Sequence, residues 1–171
     1  LLADNQTAIV ATYLWDGTNW ALKTLTAAPQ PRGDVAMIYD SIRQRVLLFG
    51  GFQPQTSNGC GVAPAKFYDD LWAWNGSTWT QLATTGPKPA ARMGMGFSYD
   101  AVRDRAVLFG GEGLGLTYND TWEFDGTNWI LMAPVHVPSV NPSPALAYDT
   151  LRRRVTLFGT AKGATGGLLR T

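Results

Sequence analysis

The sequence predicts an all-β protein assembled from repeated four-stranded antiparallel sheets, and three observations carry that expectation. One pattern recurs. It reads Tyr39-Asp40, Arg43, Arg45, Val46-Leu47-Leu48-Phe49-Gly50-Gly51, then Leu71-Trp72-Ala73-Trp74-Asn75-Gly76 and Trp79. It returns as Tyr99-Asp100, Arg103, Arg105, Ala106-Val107-Leu108-Phe109-Gly110-Gly111, then Thr121-Trp122-Glu123-Phe124-Asp125-Gly126 and Trp129. The period is short: Tyr39 to Tyr99 is 60 residues and Tyr99 to Tyr148 is 49. Repeats near fifty residues are the mark of small sheets stacked one on another, as in propellers. Finally, no helical stretch with a 3.6-residue apolar period is visible.

The first strand of each repeat is apolar and ends at Tyr-Asp, as in Val35-Ala36-Met37-Ile38-Tyr39. The second, Val46-Leu47-Leu48-Phe49, is a continuous apolar run, as expected of a strand covered on both faces. Its closing glycines remove side chains where neighbouring backbones come close. The third alternates around Trp72 and Trp74, or Trp122 and Phe124, and so has two differently packed faces. Asn75-Gly76, Asp125-Gly126 and Asp16-Gly17 then supply the positive φ of a tight hairpin turn. The fourth strand begins near Trp79, Trp129 or Trp20. Proline-rich links, such as Gly86-Pro87-Lys88-Pro89, separate the units. Gly51 to Trp72 spans 21 residues where Gly111 to Trp122 spans 11, so the extra length is a surface loop.

The ends are incomplete. The chain opens on the back half of a repeat, Thr12-Tyr13-Leu14-Trp15-Asp16-Gly17 with Trp20. It closes on a front half, Tyr148-Asp149, Arg152, Arg154, Val155-Thr156-Leu157-Phe158-Gly159-Thr160. Four units follow: residues 1–28, third and fourth strands; 29–85 and 86–133, whole units; 134–171, first and second strands plus a tail from Ala161 without a strand pattern. The chain begins at Leu1, as a processed chain or a piece of a longer one does.

Composition bounds the partners. A net charge of +1 in 171 residues gives no reason to expect nucleic acid. No run reaches the roughly 18 apolar residues of a membrane helix. Cys60 is the only cysteine, so neither an internal disulfide nor a cysteine metal cluster can form. His136 is the only histidine and sits in a proline-rich link. Asn5, Asn75 and Asn119 begin glycosylation triplets of the kind common by chance.

The Tyr-Asp-x-x-Arg-x-Arg segment, the Phe-Gly-Gly strand end and the aromatic pairs seven apart (Trp72/Trp79, Trp122/Trp129, Tyr13/Trp20) resemble the kelch repeat, in its bacterial style, over about residues 9 to 160. The resemblance implies a β-propeller arc of four-stranded antiparallel blades around a central channel: two whole blades and two half-blades. There are departures. Met95 fills the family's histidine slot after Arg92 and Gly94, and Asp34 and Val35 stand after Arg32. Asn141 takes the arginine slot of the last copy, Ala11 the slot of Asp70 and Asp120, and Thr160 that of a glycine.

The Asp40/Arg43/Arg45 set reads as turn chemistry, the acid accepting backbone N–H groups and the arginines bridging carbonyls or carboxylates. Arg32 and Arg92 open the first strand. The resemblance puts them near the channel mouth, where they either grip an anion or bond between blades. The loop from Phe52 to Asp69, on the link face, is the principal binding candidate, with Phe67, Tyr68 and, in the next repeat, Tyr118 as aromatic anchors. No catalytic residue, metal ligand or cofactor is assigned. The copper-radical oxidase type of the family needs two histidines, and the Asp-box of sialidase-like propellers fails at Asp16-Gly17.

The expected function is a non-enzymatic binding or assembly module. It is either a piece of a longer propeller or half of a head-to-tail six-bladed dimer, engaging a protein partner or a second copy through its open half-blades. Two alternatives stand beside it: part of a carbohydrate-active propeller enzyme with catalytic groups outside this chain, and a structural subunit of a larger complex. Few lysines, with many Thr, Asn, Gly and Trp, point to an extracytoplasmic or secreted setting.

Overall fold

The computed structural model describes residues 10–58, 61–139 and 143–159; Asn5, Cys60, Asn141 and the tail from Ala161 lie outside them. The described residues form strands, turns and links, with no helix among them. An N-terminal hairpin pairs β1 (Thr12–Trp15) with β2 (Trp20–Lys23). The first four-stranded antiparallel sheet contains β3 (Ala36–Asp40) and β4 (Arg45–Phe49). A two-tier ribbon follows: β5 (Phe52–Gln53), β6 (Thr56–Asn58), β7 (Gly61–Ala63) and β8 (Lys66–Phe67). The sheet is completed by β9 (Leu71–Trp74) and β10 (Trp79–Leu82), in spatial order β3-β4-β9-β10.

The second sheet repeats this with β11 (Gly96–Asp100), β12 (Arg105–Phe109), a short ribbon of β13 (Glu112–Gly113) and β14 (Leu116–Thr117), then β15 (Thr121–Phe124) and β16 (Trp129–Met132). Its order is β11-β12-β15-β16. A C-terminal hairpin of β17 (Ala145–Asp149) and β18 (Arg154–Phe158) closes the described chain.

Equivalent strands share one register. Val46 pairs with Trp74 and Leu48 with Trp72; Ala106 pairs with Phe124 and Leu108 with Trp122. The period-two alternation therefore sends Leu47, Phe49, Leu71 and Ala73 to one face of the first sheet. There they meet Phe97, Leu108, Trp122, Phe124 and Trp129 of the second sheet in one buried cluster. Phe49 lies edge-on to Trp129 at 5.2 Å between ring centroids. The other face of the first sheet, with Leu48, Trp74 and Trp79, packs against Leu14 of the N-terminal hairpin. Strand β11 lies beside both β3 and β17, so the first strands of successive sheets are neighbours.

Two expectations are corrected. The Asn-Gly and Asp-Gly turns are four-residue loops, since Trp74 pairs with Trp79 and Phe124 with Trp129. Only the glycine takes a positive φ, as at Gly76 (97°). The residue before it works through its side chain: Asn75 Oδ1 accepts from the N–H groups of Ser77 and Thr78, both at 3.0 Å. The long surface loop is also more ordered than a loop. Phe52 pairs with Phe67 and Gln53 with Lys66, while Thr56–Asn58 pairs with Gly61–Ala63. It is an elongated form of the β13–β14 ribbon.

The Phe-Gly-Gly ends stand where backbones converge. Gly50 has φ 67°, and a Cβ there would lie 2.6 Å from the Arg92 carbonyl oxygen and 2.7 Å from Met95 Cε. Gly76 also has a positive φ, but its surroundings are open. Gly50→Ala should therefore cost about 2 to 4 kcal/mol, from left-handed strain plus overpacking, and Gly76→Ala about 1 to 2 kcal/mol, from strain alone. Urea unfolding of the two variants checks the difference; equal losses would show that the close approach is not tight.

Candidate functional site

The two ends of the strands, a turn face and a link face, carry different chemistry. On the turn face, Asp40 is buried and accepts from the Arg43 N–H (3.0 Å) and from Arg45 Nε (3.0 Å). Arg43 crosses to the next sheet, donating to Asp104 at 2.6 and 2.8 Å and to the Asp125 carbonyl at 3.2 Å. Arg45 reaches the Gly126 carbonyl at 3.3 Å. A Cβ on Gly126 would strike the Arg43 guanidinium. The Tyr99 hydroxyl donates to Asp104 at 2.6 Å, beside the Asp40 carboxylate. In the second sheet Arg103 joins Asp100 (2.6 Å) to Glu123 (2.7 Å). The Tyr148 hydroxyl approaches Asp100 without a hydrogen bond of normal geometry. The Asp and Arg residues of this motif thus fasten the first sheet's turn to the second sheet, and in the second sheet they tie its own strands together.

On the link face, Arg92 is fully buried. Its guanidinium donates to Asp120 at 2.5 and 2.9 Å, to the Gly110 carbonyl at 3.0 Å and to the Ala90 carbonyl at 2.9 Å. Trp122 Nε1 donates to the same carboxylate at 2.8 Å, and Tyr118 stacks on the guanidinium at 4.0 Å. The first sheet repeats the cluster: Arg32 pairs bidentately with Asp70, Trp72 Nε1 donates to Asp70 at 2.8 Å, and Tyr68 lies 3.4 Å from the guanidinium. Burial by itself raises the carboxyls of Asp70 and Asp120, but the arginine and tryptophan donors outweigh it and hold both below their ordinary value.

The sequence-predicted residues fall as follows. Arg32 and Arg92 turn their side chains inward onto Asp70 and Asp120, while the main chain of Arg92 bonds between sheets, accepting from Gly51 N at 2.8 Å and donating to the Tyr68 carbonyl at 3.1 Å. Tyr68 is buried between Arg32 and Lys66, its hydroxyl donating to Gln53 at 2.7 Å. Phe67 stacks on Phe52 at 4.7 Å in the root of the ribbon. Tyr118 remains half-buried over Arg92. Asp70 and Asp120 were not singled out as partners, yet a signal exists. Arg32–Asp70 and Arg92–Asp120 are separated by 38 and 28 residues, a difference equal to the ribbon insertion.

The half-blades expected to be open at the two ends expose particular aromatic side chains. Trp74 and Trp79 are each 5% exposed, whereas their equivalents Trp15 and Trp20 are 52% and 66% exposed. Tyr13 and Leu22 share that open face, whereas Met37 and Tyr39 on β3 are exposed on the face of the first sheet that the hairpin covers only in part. At the other end Phe158 is 82% exposed where Phe49 and Phe109 are buried. A cleft of about 600 Å³ lies beside β1, walled by Tyr13, Arg32, Val35, Met37, Leu48 and Trp79. Among the described residues no cluster of His, Cys, Asp and Glu could hold a metal ion, and no helix is long and apolar enough to cross a membrane. His136 is exposed in its link. No family model matches the chain, and neither does any of the curated proteins.

Two stability predictions come from these clusters. Asp120→Asn leaves the buried Arg92 without its counter-charge and should destabilise the fold by about 3 kcal/mol in denaturant unfolding; a loss near zero would show that Arg92 is held by carbonyls alone. The second concerns acid. Arg43 and Tyr99 hold the Asp104 carboxyl at about 2, below its ordinary 3.8. A depressed acid contributes stability above its unfolded value and loses it as pH falls toward its folded value. Thermal stability should therefore hold from pH 7 to about 5 and fall below about 4, and Asp104→Asn should flatten that fall.

Proposed function

We propose that the chain is an arc of a kelch-type β-propeller and works as a non-enzymatic binding and assembly module. The observation that carries this reading is the contrast within one motif: Trp74 and Trp79 are buried, and Trp15 and Trp20 are open. An aromatic face repeated in kind and register, covered wherever a neighbouring sheet exists, is an interface awaiting a sheet. Two four-stranded sheets packed face to face, with first strands adjacent, support the radial arrangement. The hairpins at each end are the halves by which the arc is extended. Recognition beyond assembly belongs to the link face, where the β5–β8 ribbon projects from the Arg32–Tyr68 root.

Oxidative footprinting of tryptophan side chains tests the assembly reading. In the protein purified as its native assembly, Trp15 and Trp20 should be oxidised as slowly as Trp74 and Trp79, and dissociation into single chains should expose the first pair alone. Reactivity of Trp15 and Trp20 near that of free tryptophan in that preparation would remove the reading.

A further inference from the structure

We infer that the sheet completing the N-terminal hairpin is the β17–β18 hairpin of a second copy of this chain, docked edge to edge on β1. The inference rests on the assembly reading above and names its partner. The whole sheets give the template. In them the second strand pairs with the third, as Val46 with Trp74 and Leu48 with Trp72. Among the described residues β1, a third strand, pairs only to a fourth, and β18, a second strand, only to a first. Carried over, the template pairs Trp15 with the partner's Val155, Leu14 with the partner's Thr156, Tyr13 with the partner's Leu157 and Thr12 with the partner's Phe158.

The surfaces agree with that register. At the closed junction Phe49 packs on Trp129, above Phe97 and Leu108. At the open end the equivalent positions are Trp79, Met37 and Leu48, which wall the cleft. The partner's Phe158, equivalent to Phe49 and exposed in the single chain, enters there. The outer half closes in the same way: Tyr13, Trp15, Trp20 and Leu22 meet the partner's Ile130 and the partner's Met132, partly exposed for want of a covering sheet.

The polar pattern is matched as well. Tyr99 sits beside Asp40 of the preceding sheet, and Arg43 crosses to Asp104 and the Asp125 carbonyl. Tyr39, Gln44 and Asn75 hold those positions at the open end, facing the partner's Asp149 and the partner's Arg152.

The link-face pair gives an independent argument, read from sequence positions. Each whole sheet buries an arginine, from the segment before its first strand, against an aspartate before its third. In the shared sheet the arginine slot is Asn141 and the aspartate slot is Ala11. Both charges are missing together. An aspartate without its arginine, or the reverse, would leave a charge buried and unpaired. Joint replacement is what one sheet built from these two halves requires. The described residues of two copies joined in this way make up six four-stranded sheets, two whole ones from each copy and two shared, a number that closes a propeller ring.

Sedimentation of the full chain should give twice the 18.6 kDa chain mass at about 100 µM, where even a micromolar dissociation constant fills the dimer. Phe158→Asp should raise that constant about 30-fold or more. Because Phe158 is exposed in the single chain, the near-ultraviolet circular dichroism of the buried tryptophans should persist at matched monomer. In a Cys60→Ser background, Tyr13→Cys chains mixed with Leu157→Cys chains should form disulfide-linked pairs of one chain of each kind, and neither variant should do so alone. A monomer at that concentration, a dimer indifferent to Phe158→Asp, or an unlinked mixture overturns the second copy as partner. The assembly reading would survive any of these if Trp15 and Trp20 stay protected in the native assembly, and would fall with them if they do not.

Discussion

The packing of one sheet's Leu47, Phe49, Leu71 and Ala73 on the next sheet's Phe97, Trp122 and Trp129 is the constraint on which the structure depends. Burying a large apolar side chain contributes about 1.5 to 3 kcal/mol, so a cluster of this size dominates what a small sheet can gain. A single four-stranded sheet has two apolar faces here and cannot bury both by itself. Strand β12 shows the consequence: Ala106, Val107, Leu108 and Phe109 are all buried because a neighbour covers each face. Strand β18 carries the same kind of run and leaves Phe158 exposed because no sheet among the described residues covers that face. The two strands differ in what packs against them rather than in what they are.

Apolar packing does not fix register by itself, and the ends of the strands do. On the turn face a buried Asp40 receives two arginines, and one of them reaches Asp104 of the next sheet. On the link face Arg92 spends its donors on Asp120 and two carbonyls. A charge buried without its partner costs several kcal/mol, so a slip between strands that parted these pairs would be heavily disfavoured. Each sheet is clamped at both ends while its middle is held by shape.

Much of this was legible in the sequence, for a physical reason. Tyr-Asp, Phe-Gly-Gly and the tryptophan pairs lie at fixed intervals because hydrogen-bonded strands do not tolerate insertions, so Trp72, Trp79, Gly50 and Gly51 announced their strands. The glycines were readable for the same reason: no side chain fits where Gly50 meets the Arg92 carbonyl. The ribbon was not readable as pairing, because Thr56–Asn58 and Gly61–Ala63 pair with each other and with neither four-stranded sheet, so no alternation about a core marks them. The inward direction of Arg32 and Arg92 was hidden too. Their carboxylates sit tens of residues away, and only the repeat of the separation ties them together. The severed ends were visible as missing strands, but the exposure of Trp15 against the burial of Trp74 required three dimensions.

The two ends of the strands are free to vary to different degrees. The turn between first and second strands has one length in every copy, and Gln44, Asp104 and Arg153 all take a left-handed φ there. In the first sheet Arg43 and Arg45 must reach the Asp125 and Gly126 carbonyls of the next sheet, so a residue more or less there would break the tie. The link face has no such limit beyond the ribbon's root. Gly33 bridges Phe52 in the first sheet, as Met93 bridges Glu112 in the second, although the ribbons that follow differ in length. Tyr68 and Tyr118 lie over the paired arginines in both. Beyond that anchored root β6 and β7 pair with each other and with neither four-stranded sheet, so the length of the ribbon can change without touching the stack. A scaffold of this kind confines changes in length to the ends of the strands where the sheets are linked rather than where they turn.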